Sequence, residues 1–153
     1  MKYLFGLLAI AAVLTLSSDS RIAHADNVVP PPVDLGADVM KPMGALFKTI
    51  GTSITDGTKN ASNVQALSDL SDKIDVAITI TPTTDAYKAE VALVGADNAF
   101  TKYQSLLKAL KVSVLELSAT LKTKSAAACG TACDSILGQI NQFAALGHAT
   151  FKD

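Results

Sequence analysis

The stretch FTKYQSLLKALKVSVLELSATL, residues 100–121, carries apolar side chains at Phe100, Tyr103, Leu107, Leu110, Val114, Leu117 and Leu121. They recur in alternating steps of three and four residues, the repeat of one helical face, held for three heptads. A half-buried strand would alternate every second residue. Between the apolar positions stand charged side chains at Lys102, Lys108, Lys111 and Glu116. Such a helix needs partners of its own kind to cover one side.

Partners are found on both sides of it. Downstream, a helix is expected from about Thr131 to Phe151, with Leu137, Ile140, Ala144 and Phe151 on its apolar face. Upstream, Met40, Met43, Phe47, Ile50 and Ile54 form a seam of the same spacing. Asp38 is placed to cap that helix, Pro42 falls in or near its first turn, and Gly57 is expected to stop it. A second helix is expected from about Asn60 to Ala77 on Val64, Leu67, Ser71, Ile74 and Ile78, with Ser62 and Gln65 as a capping box. TITPTTD, residues 79–85, then breaks the chain, with Pro82 and Asp85 as stop and restart signals. Residues 86–94 read either as a short helix or as the beginning of the third, interrupted near Gly95. VAITIT, residues 76–81, is the only strand-like run. The expected fold is all-α, an up-down-up-down antiparallel four-helix bundle over residues 38–153.

The first 25 residues carry a different message. Lys2 precedes the apolar run LFGLLAIAAVLTL, and Ala23-His24-Ala25 puts small residues before Asp26. That is the pattern of a secretory signal peptide removed after Ala25. The run is short of the roughly 20 residues of a membrane span. Residues 26–37, with three consecutive prolines, are expected to form an extended leader. Removing the signal takes two of the 13 basic and one of the 14 acidic side chains and leaves a slightly acidic chain. No basic footprint for nucleic acid or for an anionic membrane remains.

His148 is then the only histidine left. It lies four residues after Ala144, three before Phe151 and eleven after Leu137, all within about 60° of it on a helical wheel. It therefore borders the apolar face. In an up-down bundle the first helix begins where the fourth ends, which brings Met40 and Met43 to the same end as His148.

MKPMGALFKTI at residues 40–50, DGTKNA at 56–61 and GQINQFAALGHATFK at 138–152 resemble the periplasmic cytochrome b562 family. The resemblance implies a four-helix bundle holding one non-covalent haem b. It implies Met40 and His148 as axial ligands of the haem iron and Met43 as the reserve ligand one turn on. Phe47, Phe100, Tyr103 and Phe151 become candidates for the apolar wall, and Lys152 for a propionate partner. A thioether and an imidazole are the ligand pair of electron-transfer haems, the soft sulfur raising the potential. With both axial positions filled, the implied role is periplasmic electron transfer to an unidentified redox partner, not catalysis. The chain departs from the family in Pro42, in longer connections around residues 79–97 and 123–132, and in a cysteine pair.

Cys129 and Cys133 are spaced C-x-x-x-C and followed by Asp134. Covalent haem attachment needs C-x-x-C-H, so the implied haem is b-type. In an exported chain the pair is expected as a disulfide; a copper- or thiol-based redox site is the alternative. A haem-free bundle acting as a binding or envelope-stress module is a further alternative. Glu90 and Glu116 are the only glutamates, which excludes a di-iron carboxylate site. No H-E-x-x-H, phosphate-binding loop or dinucleotide fingerprint occurs.

Overall fold

A computed structural model describes residues 32–151. The signal segment, the first part of the leader and Lys152 lie outside them. Apart from short connections the described residues are helical, with no strand among them: α1 Lys41–Ser53, α2 Asn60–Thr79, α3 Asp85–Val94, α4 Ala96–Lys124 and α5 Thr131–Phe151. Five helices stand where four were expected. The additional one is α3, set apart from α4 by Gly95, whose φ of 85° interrupts the helical path. Thr84, not Asp85, caps it, its Oγ1 accepting from the Tyr87 amide at 3.2 Å.

The start of α1 corrects the reading of Asp38 as the cap. The chain turns helical already at Leu35, through a wide π-type turn over Leu35–Met40. Asp34 is the cap: its carboxylate accepts from the amides of Gly36 and Ala37 at 2.8 and 3.0 Å. Asp38 answers by accepting from the Asp34 amide at 2.9 Å. This is the reciprocal logic of a capping box, with the return residue one position later because the turn holds an extra residue. Pro42 is the second residue of α1, in its first turn as the sequence reading has it. The helical path already runs through the wide turn before it, so the ring faces the carbonyl four residues back and crowds it. The wide turn relieves that crowding, and Lys73 of α2 donates to the Asp38 carbonyl at 3.0 Å.

The extensive helix pairings are α2 with α4, α4 with α5 and α1 with α2, while α3 lies against α4 and α5. The seams explain them. In α4, Tyr103, Leu107, Leu110, Val114, Leu117 and Leu121 are all buried, against Leu67, Leu70 and Ile74 of α2 and Ile136 and Ile140 of α5 in one core. Two side chains of α4 also close the end of α2: Tyr103 Oη donates to the Ala77 carbonyl at 3.2 Å, and Gln104 Nε2 to that of Ile78 at 3.0 Å. The last carbonyls of a helix have no partner within it, so these bonds fix both ends and register. Burial pushes the Tyr103 phenol up to about 12. The hydroxyl stays a donor through the physiological range, and its contribution fades only as pH rises from 10 toward that value.

The opposite end is interlocked. Asp56 caps a short turn, Gly57–Lys59, accepting from the Thr58 amide and hydroxyl at 3.0 and 2.6 Å. The Thr58 bonds hold the Asp56 carboxyl below its usual range. Asn60 Nδ2 donates to the carbonyls of Ser125 and Ala127 across the core. The expected capping box does not form: Ser62 Oγ donates to the Lys59 carbonyl and Gln65 Nε2 to Asp69. Asn63, 1 % exposed, ties the end of α1 to α2 through Ser53.

Ser125, which ends α4, sits at φ 53° and ψ −126°, a conformation suited to glycine. Ser125→Gly is therefore expected to raise stability by about 0.5–1 kcal/mol, the relieved strain exceeding the added freedom of the unfolded chain. Urea unfolding, read as a higher midpoint at unchanged slope, checks it.

Cys129 and Cys133 lie at disulfide distance, their Cα atoms 5.6 Å apart, with Gly130 at φ 66° turning the loop between them. A loop this short constrains the unfolded chain by about 2 kcal/mol or less. The Cys129→Ser/Cys133→Ser double variant is expected to stay folded, with a thermal midpoint lowered by several degrees. Circular dichroism melts of the two proteins provide the comparison.

Candidate functional site

One pairing of neighbours is missing from the core. α1 packs on α2 and α5 packs on α4, but α1 and α5 share almost no close backbone approach. Between them lies a cleft with an inner cavity of about 280 Å³. Its α1 wall is Met40, Met43, Gly44 and Phe47; its floor is Tyr103, Leu106, Leu107 and Leu110 of α4. Its α5 wall is Asn141, Phe143, Ala144, Gly147, His148 and Phe151. A second cavity of about 590 Å³ adjoins it and shares Met40, Gly44, Tyr103, Gly147, His148 and Phe151. This outer space is closed by Asp34, Leu35 and Gly36 on one side and Pro82, Thr83 and Thr84 on the other.

The periodicity that makes the helices also makes the cleft. Met43, Ile50 and Ile54 of the α1 seam are buried, whereas Met40 and Phe47 are only half-buried, because the neighbour they face stands off. His148 occupies the rim of the opposite wall: its side chain lines both cavities while the residue as a whole is exposed. Two glycines widen the gap. A Cβ built at Gly44 or at Gly147 meets nothing within 4 Å, so the missing side chains leave open space on facing walls.

Met40 and His148, 108 positions apart in the chain, therefore front one apolar slot. No family model, curated protein or solved structure matches this chain. The slot is thus described by its own chemistry alone.

The aromatic residues are distributed unevenly. Tyr103 and Phe151 line the slot and meet edge to face at 5.2 Å. Tyr87 backs Phe151 at 6.0 Å. Phe100 does not line either cavity: it stacks on Tyr103 at 6.2 Å and supports that ring instead. Neither cysteine of the pair lines the slot. Sequence reading named Met40, Met43, Phe47, Tyr103, His148 and Phe151, and the cleft gathers all six. It did not name Leu106, Phe143 or the two glycines, although Gly147 beside His148 offered a signal.

The rim also carries charge. Lys41 lines the outer cavity near Met40, and it is the one lysine or arginine among the described lining residues of the two spaces. The Asp34 carboxylate at the same rim is occupied by its own helix cap. The last turn of α5 is tied down by Thr84, whose Oγ1 donates to the Phe151 carbonyl at 2.6 Å.

Proposed function

We propose that this chain is an exported, periplasmic electron-transfer haemoprotein holding one non-covalent haem b in the cleft. Its helices α1, α2, α4 and α5 form an up-down-up-down bundle in this reading, with α3 as an added piece on one connection. Met40 and His148 would hold the haem iron, with Met43 the reserve ligand. The observation that carries the reading is one apolar slot fronted by the Met40 thioether, where the wide turn passes into α1, and by an imidazole from α5.

The residues fit such a group. The two adjoining cavities lie within the few hundred to 1,000 Å³ usual for cofactor sites. Open space at Gly44 and Gly147 makes room for a flat ring system between α1 and α5. A bound haem supplies a one-electron couple. Leu106, Leu107, Leu110, Phe143 and Phe151 exclude water from the ring faces, which favours the less charged ferrous form. The Met40 sulfur works in the same direction. Tyr103 keeps its proton, held by burial and by its bond to Ala77, so it adds no charge to the site. Among the described residues Lys41 at the rim is the lysine available to a carboxylate at the edge; Lys152, the propionate partner that the resemblance implies, lies outside them.

The test is direct. The exported protein, purified without added cofactor and then titrated with haemin, is expected to show a Soret band that saturates at one haem per chain. A chain that gives no such band, before or after titration, is not a haemoprotein.

A further inference from the structure

The cleft holds one donor more than two axial positions require. Met40 and Met43 stand three residues apart where the wide turn passes into α1, a spacing that puts two side chains on one helical face. Both line the inner cavity, with His148 facing them from α5. Met43 is 5 % exposed. No acidic side chain lines this inner space. Two thioethers and an imidazole, all uncharged as ligands, thus share one apolar volume.

We infer that the haem-free chain binds a single Cu(I) ion in this cleft, through the sulfurs of Met40 and Met43 and the imidazole of His148. Thioethers are soft ligands that select Cu(I), and imidazole suits copper as well. Magnesium and calcium require oxygen ligands, which the inner cavity offers only from Asn141 and the Tyr103 hydroxyl. Burial keeps the Tyr103 hydroxyl protonated, so it offers a hard cation no charged oxygen. Charge sharpens the choice. The cost of desolvating an ion rises with the square of its charge, so a monovalent ion loses only about a quarter of what a divalent ion of equal size loses. With no anionic ligand to offset a second charge, the cavity favours the monovalent metal. The cysteines, paired with each other at disulfide distance, stand outside the site.

This inference does not rest on haem binding, although both readings use the same residues. The haem-free full chain is titrated anaerobically against the Cu(I)–bicinchoninate complex with ascorbate as reductant. The expected result is withdrawal of one Cu(I) per chain. Met43→Leu, which conserves volume and so the fold, and His148→Ala at the exposed rim should each weaken binding at least about tenfold, the loss typical of disturbing even the outer shell of a metal site. The Cys129→Ser/Cys133→Ser protein should bind like the parent. Loading with haemin should block copper uptake. The inference is overturned if no copper is withdrawn, if Met43→Leu and His148→Ala bind as tightly as the parent, or if only the cysteine variant loses the ion. Copper uptake undiminished in a haem-loaded sample, with the loss in Met43→Leu and His148→Ala retained, overturns the placing of haem in the cleft and leaves the copper site standing. A missing Soret band after haemin titration sinks the haem reading alone and leaves the copper titration intact.

Discussion

His148→Ala is expected to remove the Soret band from the protein as purified and to weaken haemin binding at least about a hundredfold, a loss near 2.7 kcal/mol. On the proposed ligation the imidazole is the stronger of the two iron bonds, and no second histidine is available among residues 26–153 to replace it. The rest of the slot survives the change. His148 is exposed, so its truncation leaves Leu107, Leu110 and Phe151 buried as before and far-ultraviolet circular dichroism should not alter. Met40→Ala should behave differently. Haem should still bind, with one axial position open or taken by water, and the reduction potential should fall because the ferrous-favouring sulfur is gone. Should Met43→Ala lower the potential while Met40→Ala does not, the axial role passes to Met43, one turn deeper. Unchanged haem affinity in His148→Ala would remove the imidazole from the site altogether.

Gly57→Ala is expected to destabilise the fold by about 2–4 kcal/mol, a large share of what a domain this size possesses. A Cβ at Gly57 would stand 2.2 Å from the Ala126 carbonyl oxygen and 2.5 Å from the Ala127 carbonyl carbon. These are backbone atoms and cannot rotate away as a side chain would. The 125–127 loop must then retreat, which strains the bonds that Asn60 donates to Ser125 and Ala127 and adds roughly 1 kcal/mol for each bond lost. The control is six residues upstream. Gly51 is exposed inside α1, with nothing within 4 Å of a built Cβ. Gly51→Ala should stabilise by about 0.5–1 kcal/mol through helix propensity. Thermal melts of the two variants should therefore move in opposite directions, the first downward by roughly 10 °C. A Gly57→Ala protein that melts with its parent would mean that the two loops are not in contact.

That pair of glycines also shows what the sequence reveals and what it hides. Reading Gly57 as a helix stop is sound local chemistry, yet its φ is not in the left-handed region. It is glycine because another loop, nearly seventy residues away, passes against it, and no local pattern carries that information. The heptad seam of α4 was legible because periodicity reports burial directly, and from Tyr103 to Leu121 every seam position is buried. The start of α1 was misread because Asp34 and Asp38 are both competent caps. Only the accommodation of Pro42, through the wide turn and Lys73, decides between them. α3 was half legible: Gly95 marked an interruption without saying on which side the chain would resume. At the cleft, Met40, Phe47, Tyr103 and Phe151, seam residues put forward by the family resemblance, line the open space. Phe100, put forward with them, follows the same period yet meets Tyr103 instead.

The bond from Thr84 to the Phe151 carbonyl ties the last turn of α5 to the first turn of α3. Ends of helices ordinarily open first and most often, independently of the body of the fold. Here the two ends are one cooperative unit: Thr84 caps α3 with the same oxygen that donates to α5, so neither turn unwinds without releasing the other. His148, three residues from that clasp, sits in a segment whose opening is coupled to a helix more than sixty residues earlier. A single bond of about 1 kcal/mol thereby links the fraying of the cleft's rim to that of α3.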